Sequence, residues 1–156
     1  MFASGKKWEI QKMLIGEFTH KLDGKRRITL PSPLRDDLGD SVVLTRGLDG
    51  CVFIYDQDNW TDITKQLSEL SFGDSDSRGL SRFLLSGAKE VEIDSAGRIL
   101  VPSFLCEFAG LDTEAVFAGV GTRVELWDKA EWMSQKTDVE ANADLLAQTL
   151  GDVGMI

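Results

Sequence analysis

Asp23 and Arg27 stand four positions apart in Asp23-Gly-Lys-Arg-Arg-Ile-Thr-Leu-Pro31, and the spacing returns 71 residues later in Asp94-Ser-Ala-Gly-Arg-Ile-Leu-Val-Pro102. A carboxylate at the first position of a turn accepts from backbone N–H groups two residues on. An arginine four residues along then starts the outgoing strand beside it, and an ion pair would hold its guanidinium in place. Such a planar fork fits a phosphate or the edge of a guanine. The same pair could also do no more than stabilise a turn. Two features favour recognition. Gly24, Lys25 and Arg26 bring more positive charge than a turn requires, and both copies place the arginine at the base of the loop.

Other chemistries find little support. The chain has one histidine, His20, which alternates with Phe18 and Leu22 as a core or interface residue does; adjoining the basic loop, it is also a candidate DNA contact. Cys51 and Cys106 lack metal-ligand spacing and stand opposite Arg123 and Arg35 in the repeat, so they read as small buried hydrophobes. Gly119-Val-Gly121 is a lone G-x-G without the strand–loop–helix context of a phosphate cradle. No nucleophile–base set is visible. The reading is a non-enzyme without metal or cofactor.

Charge is unevenly placed. The net charge of −9 argues against a protein that coats nucleic acid indiscriminately. Yet from His20 to Arg35 the chain carries Lys21, Lys25, Arg26, Arg27 and Arg35 against Asp23 alone, a local balance of +4. A focused contact with a polyanion is the implication. No apolar run approaches the roughly 20 residues that span a bilayer, and no secretory h-region opens the chain, so a cytoplasmic protein without membrane contact is expected.

The elements that must position these turns are also duplicated. Leu34 matches Leu105 and Gly39 matches Gly110; after a one-residue slip Gly47, Val52, Asp56 and Trp60 match Gly119, Val124, Asp128 and Trp132. Alternation predicts a strand over Gly16–Leu22, hairpin-joined through the Asp23 turn to a second over Arg27–Leu30. A short helix over Pro31–Leu38 follows, stopped by Gly39, then strands at Ser41–Thr45 and Cys51–Tyr55. Trp60, Ile63, Leu67 and Leu70 mark an amphipathic helix capped by Asp58 or Asn59. Residues 72–77 read as a polar loop, and Leu80, Phe83 and Leu84 as another helical face. The second copy repeats the order, with a helix over 103–109, strands near 115–118 and 123–127, and a last helix from about Lys129. Trp60 and Trp132 are expected to anchor the core. The tail from Lys136 reads as loose helix or disorder. The expected divisions are an extension (1–15, a frayed arm), a first repeat (16–60), a helical connector (61–87), a second repeat (88–132) and a tail (133–156). One such unit buries too little apolar surface to stand alone, so the copies should interlock as an internal pseudo-dimer.

Gly16-Glu-Phe, Asp23-x-Lys-x-Arg-Ile, Thr45-Arg-Gly-Leu-Asp-Gly-Cys51, Gly87-Ala88, Asp94-x-x-Gly-Arg-Ile-Leu-Val-Pro102, Gly119-Val-Gly121, Glu125-Leu-Trp-Asp128 and Trp132 together resemble the MraZ family of bacterial transcriptional regulators, relatives of the AbrB/SpoVT group. The resemblance runs over about residues 16–135. It implies an α+β, mainly β fold: tandem AbrB-like swapped-hairpin β-barrel units with helices packed outside, the protomers forming a ring. It further implies binding to short G-rich direct repeats in double-stranded DNA, chiefly to repress the protein's own division and cell-wall gene cluster, and hence a nucleoid-associated protein. The family's DNA-contacting Asp-x-x-x-Arg motif falls on Asp23, Lys25 and Arg27 and on Asp94 and Arg98. The expected DNA contacts are Lys25, Arg26, Arg27 and Arg98, with Asp23 and Asp94 organising the loops and His20, Lys21 and Arg35 as additional contacts.

Two departures stand out. Arg26 occupies a position where the family has Gly and the second copy keeps Gly97, so a need for φ > 0 there would strain the arginine. Members of the family begin near Met13, which makes residues 1–12 resemble an extension. The competing reading is an AbrB-type antitoxin or protein-interaction scaffold, whose acidic body and leucine-bearing tail would bind a protein; the +4 loop speaks against it.

Overall fold

The computed structural model describes residues 13–152 and Gly154; of the frayed arm expected over 1–15, residues 1–12 lie outside them and Leu14 and Ile15 belong to the first strand. The chain is α+β and mainly sheet. Strands β1 (Leu14–Lys21) and β2 (Arg27–Thr29) flank the first turn, followed by α1 (Ser32–Leu38), β3 (Ser41–Arg46) and β4 (Val52–Tyr55). Helices α2 (Gln57–Ser68) and α3 (Ser75–Ser86) come next. The order then repeats as β5 (Lys89–Glu92), β6 (Arg98–Leu100), α4 (Ser103–Ala109), β7 (Glu114–Gly121), β8 (Val124–Asp128) and α5 (Lys129–Asp152).

Several boundaries move, each for a local reason. β1 begins at Leu14, which is fully buried and so belongs to the sheet. Asp56, not Asp58 or Asn59, is the N-cap of α2, and its carboxylate accepts from the Asn59 amide at 2.6 Å. Leu70 lies beyond the end of that helix. Within the expected loop over 72–77, Asp74 accepts from the Asp76 N–H and starts α3 at Ser75. The tail continues α5 as one helix of 24 residues, none of them buried.

The larger correction concerns pairing. The strands flanking each Asp turn were expected as hairpin arms, but no ladder joins β1 to β2 among the described residues. One bond closes each turn, Asp23 N–H to the Arg27 carbonyl (2.9 Å) or Asp94 N–H to that of Arg98 (3.0 Å), and then the strands part. β1 pairs antiparallel with β7, and β5 with β3, so the first strand of each repeat lies on the third strand of the other. β2 pairs with its counterpart β6 about the opposed Ile28 and Ile99, and β4 with its counterpart β8 about Phe53 and Glu125. The result is a six-stranded sheet, β1-β7-β8-β4-β3-β5, and a separate two-stranded ribbon, β2-β6. Three-residue strands cannot stand as hairpins in water, whereas exchange gives each apolar face a partner.

Both repeats fill one core. Ile28, Leu30 and Leu34 meet their equivalents Ile99, Val101 and Leu105, all at most 2% exposed, together with Leu44, Ile54, Phe117 and Leu126. A second cluster holds Cys51, Phe53, Tyr55 and Trp127. There Trp60 lies 5.6 Å from Tyr55 and Trp132 lies 5.7 Å from Trp127, centroid to centroid, so the two tryptophans anchor equivalent corners. Gly119, opposite Gly16, lets β1 approach β7: a Cβ there would stand 2.6–2.8 Å from backbone atoms of Leu14 and Ile15. Gly119→Ala is therefore expected to cost about 1–3 kcal/mol of stability, read by chemical denaturation, with amide protection lost first along β1.

Candidate nucleic-acid interface

The two Asp turns are built alike, bond for bond. Asp23 Oδ1 accepts the N–H groups of Lys25 (2.9 Å) and Arg27 (2.8 Å), and Oδ2 accepts Arg27 Nε (2.9 Å). Asp94 Oδ1 accepts those of Ala96 and Arg98 (both 2.9 Å), and Oδ2 accepts Arg98 Nε (3.0 Å). A backbone bond completes each turn, from Arg26 N–H to Asp23 O (3.0 Å) and from Gly97 N–H to Asp94 O (2.9 Å). The Arg27 backbone N–H is the main reason the Asp23 carboxyl is held below the usual carboxylate range, and the Arg98 N–H acts likewise on Asp94. Both carboxylates are therefore fully ionised near neutral pH. The second turn matches the first in geometry, and only the charge of the intervening residues differs.

The ribbon aims the arginines. Residues alternate faces along a strand, and Ile28 and Ile99 point into the core. Arg27 and Thr29, and opposite them Leu100 and Arg98, therefore occupy the outward face. Arg27 and Arg98 are diagonal neighbours there, which places them ~7–8 Å apart at the backbone. Each spends Nε on its aspartate, and each ion pair is more than one-third exposed. Thr29 and Leu100 share that face, and strand alternation is the one signal in the sequence that could have found them.

The remaining candidates take different positions. Lys25 is exposed on the first turn, and Lys21 is exposed at the end of β1, opposite Glu114. Arg26 is exposed too, but its Nε donates to the Val101 carbonyl at 3.3 Å. Its φ of +63° matches the +80° of Gly97, so the left-handed requirement suspected from the sequence is present in both turns. Arg35 is half-buried, and its Nη2 donates to the Leu30 carbonyl at 2.8 Å while its guanidinium packs on Gly97. His20 sets its ring edge-to-face on Phe117 at 5.8 Å. Burial, and then the charge of Arg35, push its pKa down, so it is neutral at pH 7. Among the described residues no group of three or more His, Cys, Asp or Glu side chains is placed to hold a metal ion, and no helix is long and apolar enough to cross a membrane.

Because both carboxyls have lowered pKa values in the folded chain, they contribute stability above the ordinary aspartate value that is lost as pH falls through the folded value. NMR titration is expected to place both midpoints below the ordinary value, and Asp23→Ala and Asp94→Ala to lower the melting temperature by similar amounts. A loss confined to one variant would mean that only one turn depends on its carboxylate.

Comparisons with known proteins place the chain in a family. The family model described as "MraZ protein, putative antitoxin-like" matches twice, over residues 13–83 and 84–151. The chain is similar to a protein of Desulforamulus reducens named transcriptional regulator MraZ, 44% identical over 141 residues that cover 90% of this chain and 99% of the relative. Relatives of the same name from Acetivibrio thermocellus and Alkaliphilus oremlandii are each 42% identical over 143 residues, covering 92% of this chain and all of the relative. With both halves matched and nearly the whole length aligned, the chain belongs to the MraZ family, whose named relatives here are transcriptional regulators and not enzymes.

Proposed function

We propose that the chain is a transcriptional regulator that binds double-stranded DNA sequence-specifically through the outward face of the β2-β6 ribbon, repressing its own division and cell-wall gene cluster from short G-rich direct repeats. The observation that carries this reading is the pair of aspartate-pinned arginines on one ribbon face. A two-stranded ribbon fits the major groove of B-DNA. There Arg27 and Arg98 would take guanine O6 and N7, while Lys25 and Arg26 take phosphates and Lys21 lies at the margin. Asp23 and Asp94 act through the arginines that they orient. The +4 surround supplies the sequence-independent attraction, and the acidic body limits it to this face.

In the same reading the first repeat (16–60) and the second (88–132) form an internal pseudo-dimer of AbrB-like swapped-hairpin barrel units, joined by a helical connector (61–87) and followed by a tail (133–156). The strand exchange supports this. Protomers assemble into a ring in the cytoplasm, at the nucleoid. Assembly is supported by the uncovered apolar side chains of α5, Val139, Leu145, Leu146 and Leu150. A groove of about 430 Å³ between α2 and α3, lined by Leu67, Leu70, Phe72 and Leu85 with Arg78 and Arg82, is also left open among the described residues. That groove, together with the family's description as antitoxin-like, is what favours the second reading, an interaction module for another protein.

Gel-shift assays with the DNA upstream of the gene test the proposal. Arg27→Ala is expected to weaken specific binding roughly ten- to hundredfold, as loss of one good base contact does. With two to four protomers each neutralising two or three phosphates, log K against log salt should have a slope of roughly −4 to −10. Cutting the operator to one repeat should cost orders of magnitude, because the loops act through effective concentration. Salt-independent binding, or no preference over random DNA, would leave the protein-interaction reading in its place.

A further inference from the structure

Equivalent positions in the two repeats carry exchanged residues around one carbonyl oxygen. Leu30 and Val101 close the two ribbon strands, and each donates its N–H to the left-handed residue of the opposite turn. Leu30 N–H bonds Gly97 O and Val101 N–H bonds Arg26 O, both at 2.9 Å. Five residues after each carbonyl, on the following helix, stand Arg35 and Cys106. In the half that pairs Gly97 with Arg35, the Arg35 guanidinium donates to Leu30 O at 2.8 Å. It fills the space a side chain on Gly97 would need: a Cβ there would stand 2.3–2.6 Å from the guanidinium atoms. In the other half the turn supplies the guanidinium. Arg26 Nε donates to Val101 O at 3.3 Å, and Cys106 sends its shorter side chain toward the same oxygen, Sγ at 3.8 Å. Arg26 and the half-buried Cys106 thus converge on one oxygen.

We propose that Arg26 and Arg35 are positioning residues of one kind: each turn requires a single guanidinium on the Leu30 or Val101 carbonyl, supplied either by the turn or by the helix but not by both. This inference deepens the DNA-binding reading, since Leu30 and Val101 are bonded to the left-handed residues Gly97 and Arg26, which directly precede Arg98 and Arg27. It also assigns the asymmetry between the turns. Where the turn supplies the clamp, the guanidinium stays exposed and adds a cation to the DNA-facing loop. Where the helix supplies it, the charge is half-buried with Nε enclosed and without a hydrogen-bond partner.

The test moves the clamp from turn to helix in the first turn. Cys106→Arg, Arg26→Gly and the double variant are purified as full-length protein and compared by melting temperature and by amide exchange at Val101. Cys106→Arg in the presence of Arg26 is expected to lower the melting temperature by several degrees, or to prevent folding, because two guanidinium groups compete for one oxygen. The same substitution on Arg26→Gly is expected to cost nothing and to restore protection at Val101. In the second turn Gly97→Arg should be tolerated only together with Arg35→Cys. Equal losses from Cys106→Arg in both backgrounds, or failure of both double variants to fold, would overturn the proposal.

Gel shifts separate the two roles. The Arg26→Gly/Cys106→Arg protein should keep its preference for specific over random DNA while its salt slope becomes shallower by about one, the mark of one lost phosphate contact. A double variant that melts normally but loses that preference would overturn the positioning role. If the unaltered protein shows no preference, the functional reading fails, and the melting and exchange data still decide the clamp.

Discussion

Everything in this fold depends on the three-residue pairing of β2 with β6. Each repeat pairs within itself only its third and fourth strands, β3 with β4 and β7 with β8; beyond the bonds of its Asp turn it sends its first strand to the other repeat and its second to its own counterpart. A ribbon of that length has almost no stability of its own. Ile28 and Ile99 supply it, opposed at the centre and each 1% exposed, at about 1.5–3 kcal/mol per buried side chain. Since the isoleucines fix which face points inward, they also fix that Arg27 and Arg98 point outward. Core packing and the aim of the arginine pair are one constraint.

Exposed ion pairs contribute little to folding stability, so Asp23–Arg27 and Asp94–Arg98 are weak explanations of why the chain folds. They explain orientation better. Each carboxylate takes two backbone N–H groups on one oxygen and the arginine Nε on the other, which leaves the remaining guanidinium edge for another partner. A carboxylate beside a nucleic acid repels phosphate, and here it is the element that shapes the loop. The same logic accounts for an anionic body. A net charge of −9 with a local +4 at the first turn makes that face the attractive one for a polyanion, which under the proposed reading would select an orientation before any base contact.

Much of this was legible in the sequence. The duplicated turn, the αL position at 26 and 97, the helix starts after Pro31 and Pro102 and the paired tryptophan anchors all rest on local chemistry that spacing records. Strand partners were not legible. Alternation tells which side of a strand is buried, not which strand lies beside it, so β1 and β2 read as a hairpin although they part after the turn. The helical course of the tail was obscured because α5 buries no residue and so shows only a weak apolar face. Arg35 read as part of the basic loop because it is near in sequence. Its place on Gly97, 62 residues away, exists only through the exchange of strands.

The left-handed residue of each turn shows how the two copies reach one geometry by different means. A side chain in that conformation costs roughly 1–2 kcal/mol, and glycine avoids the cost. Gly97 does so, and the space above it is occupied by an arginine from α1. Arg26 bears the cost at φ +63°, and recovers part of it in the bond to Val101 O, which would otherwise lack a guanidinium donor. What remains of the difference is a positive charge: exposed beside Lys25 in the first turn, half-buried in the second. Two turns with the same hydrogen bonds thus present different electrostatics to a polyanion, and the difference originates in which element supplies the clamp.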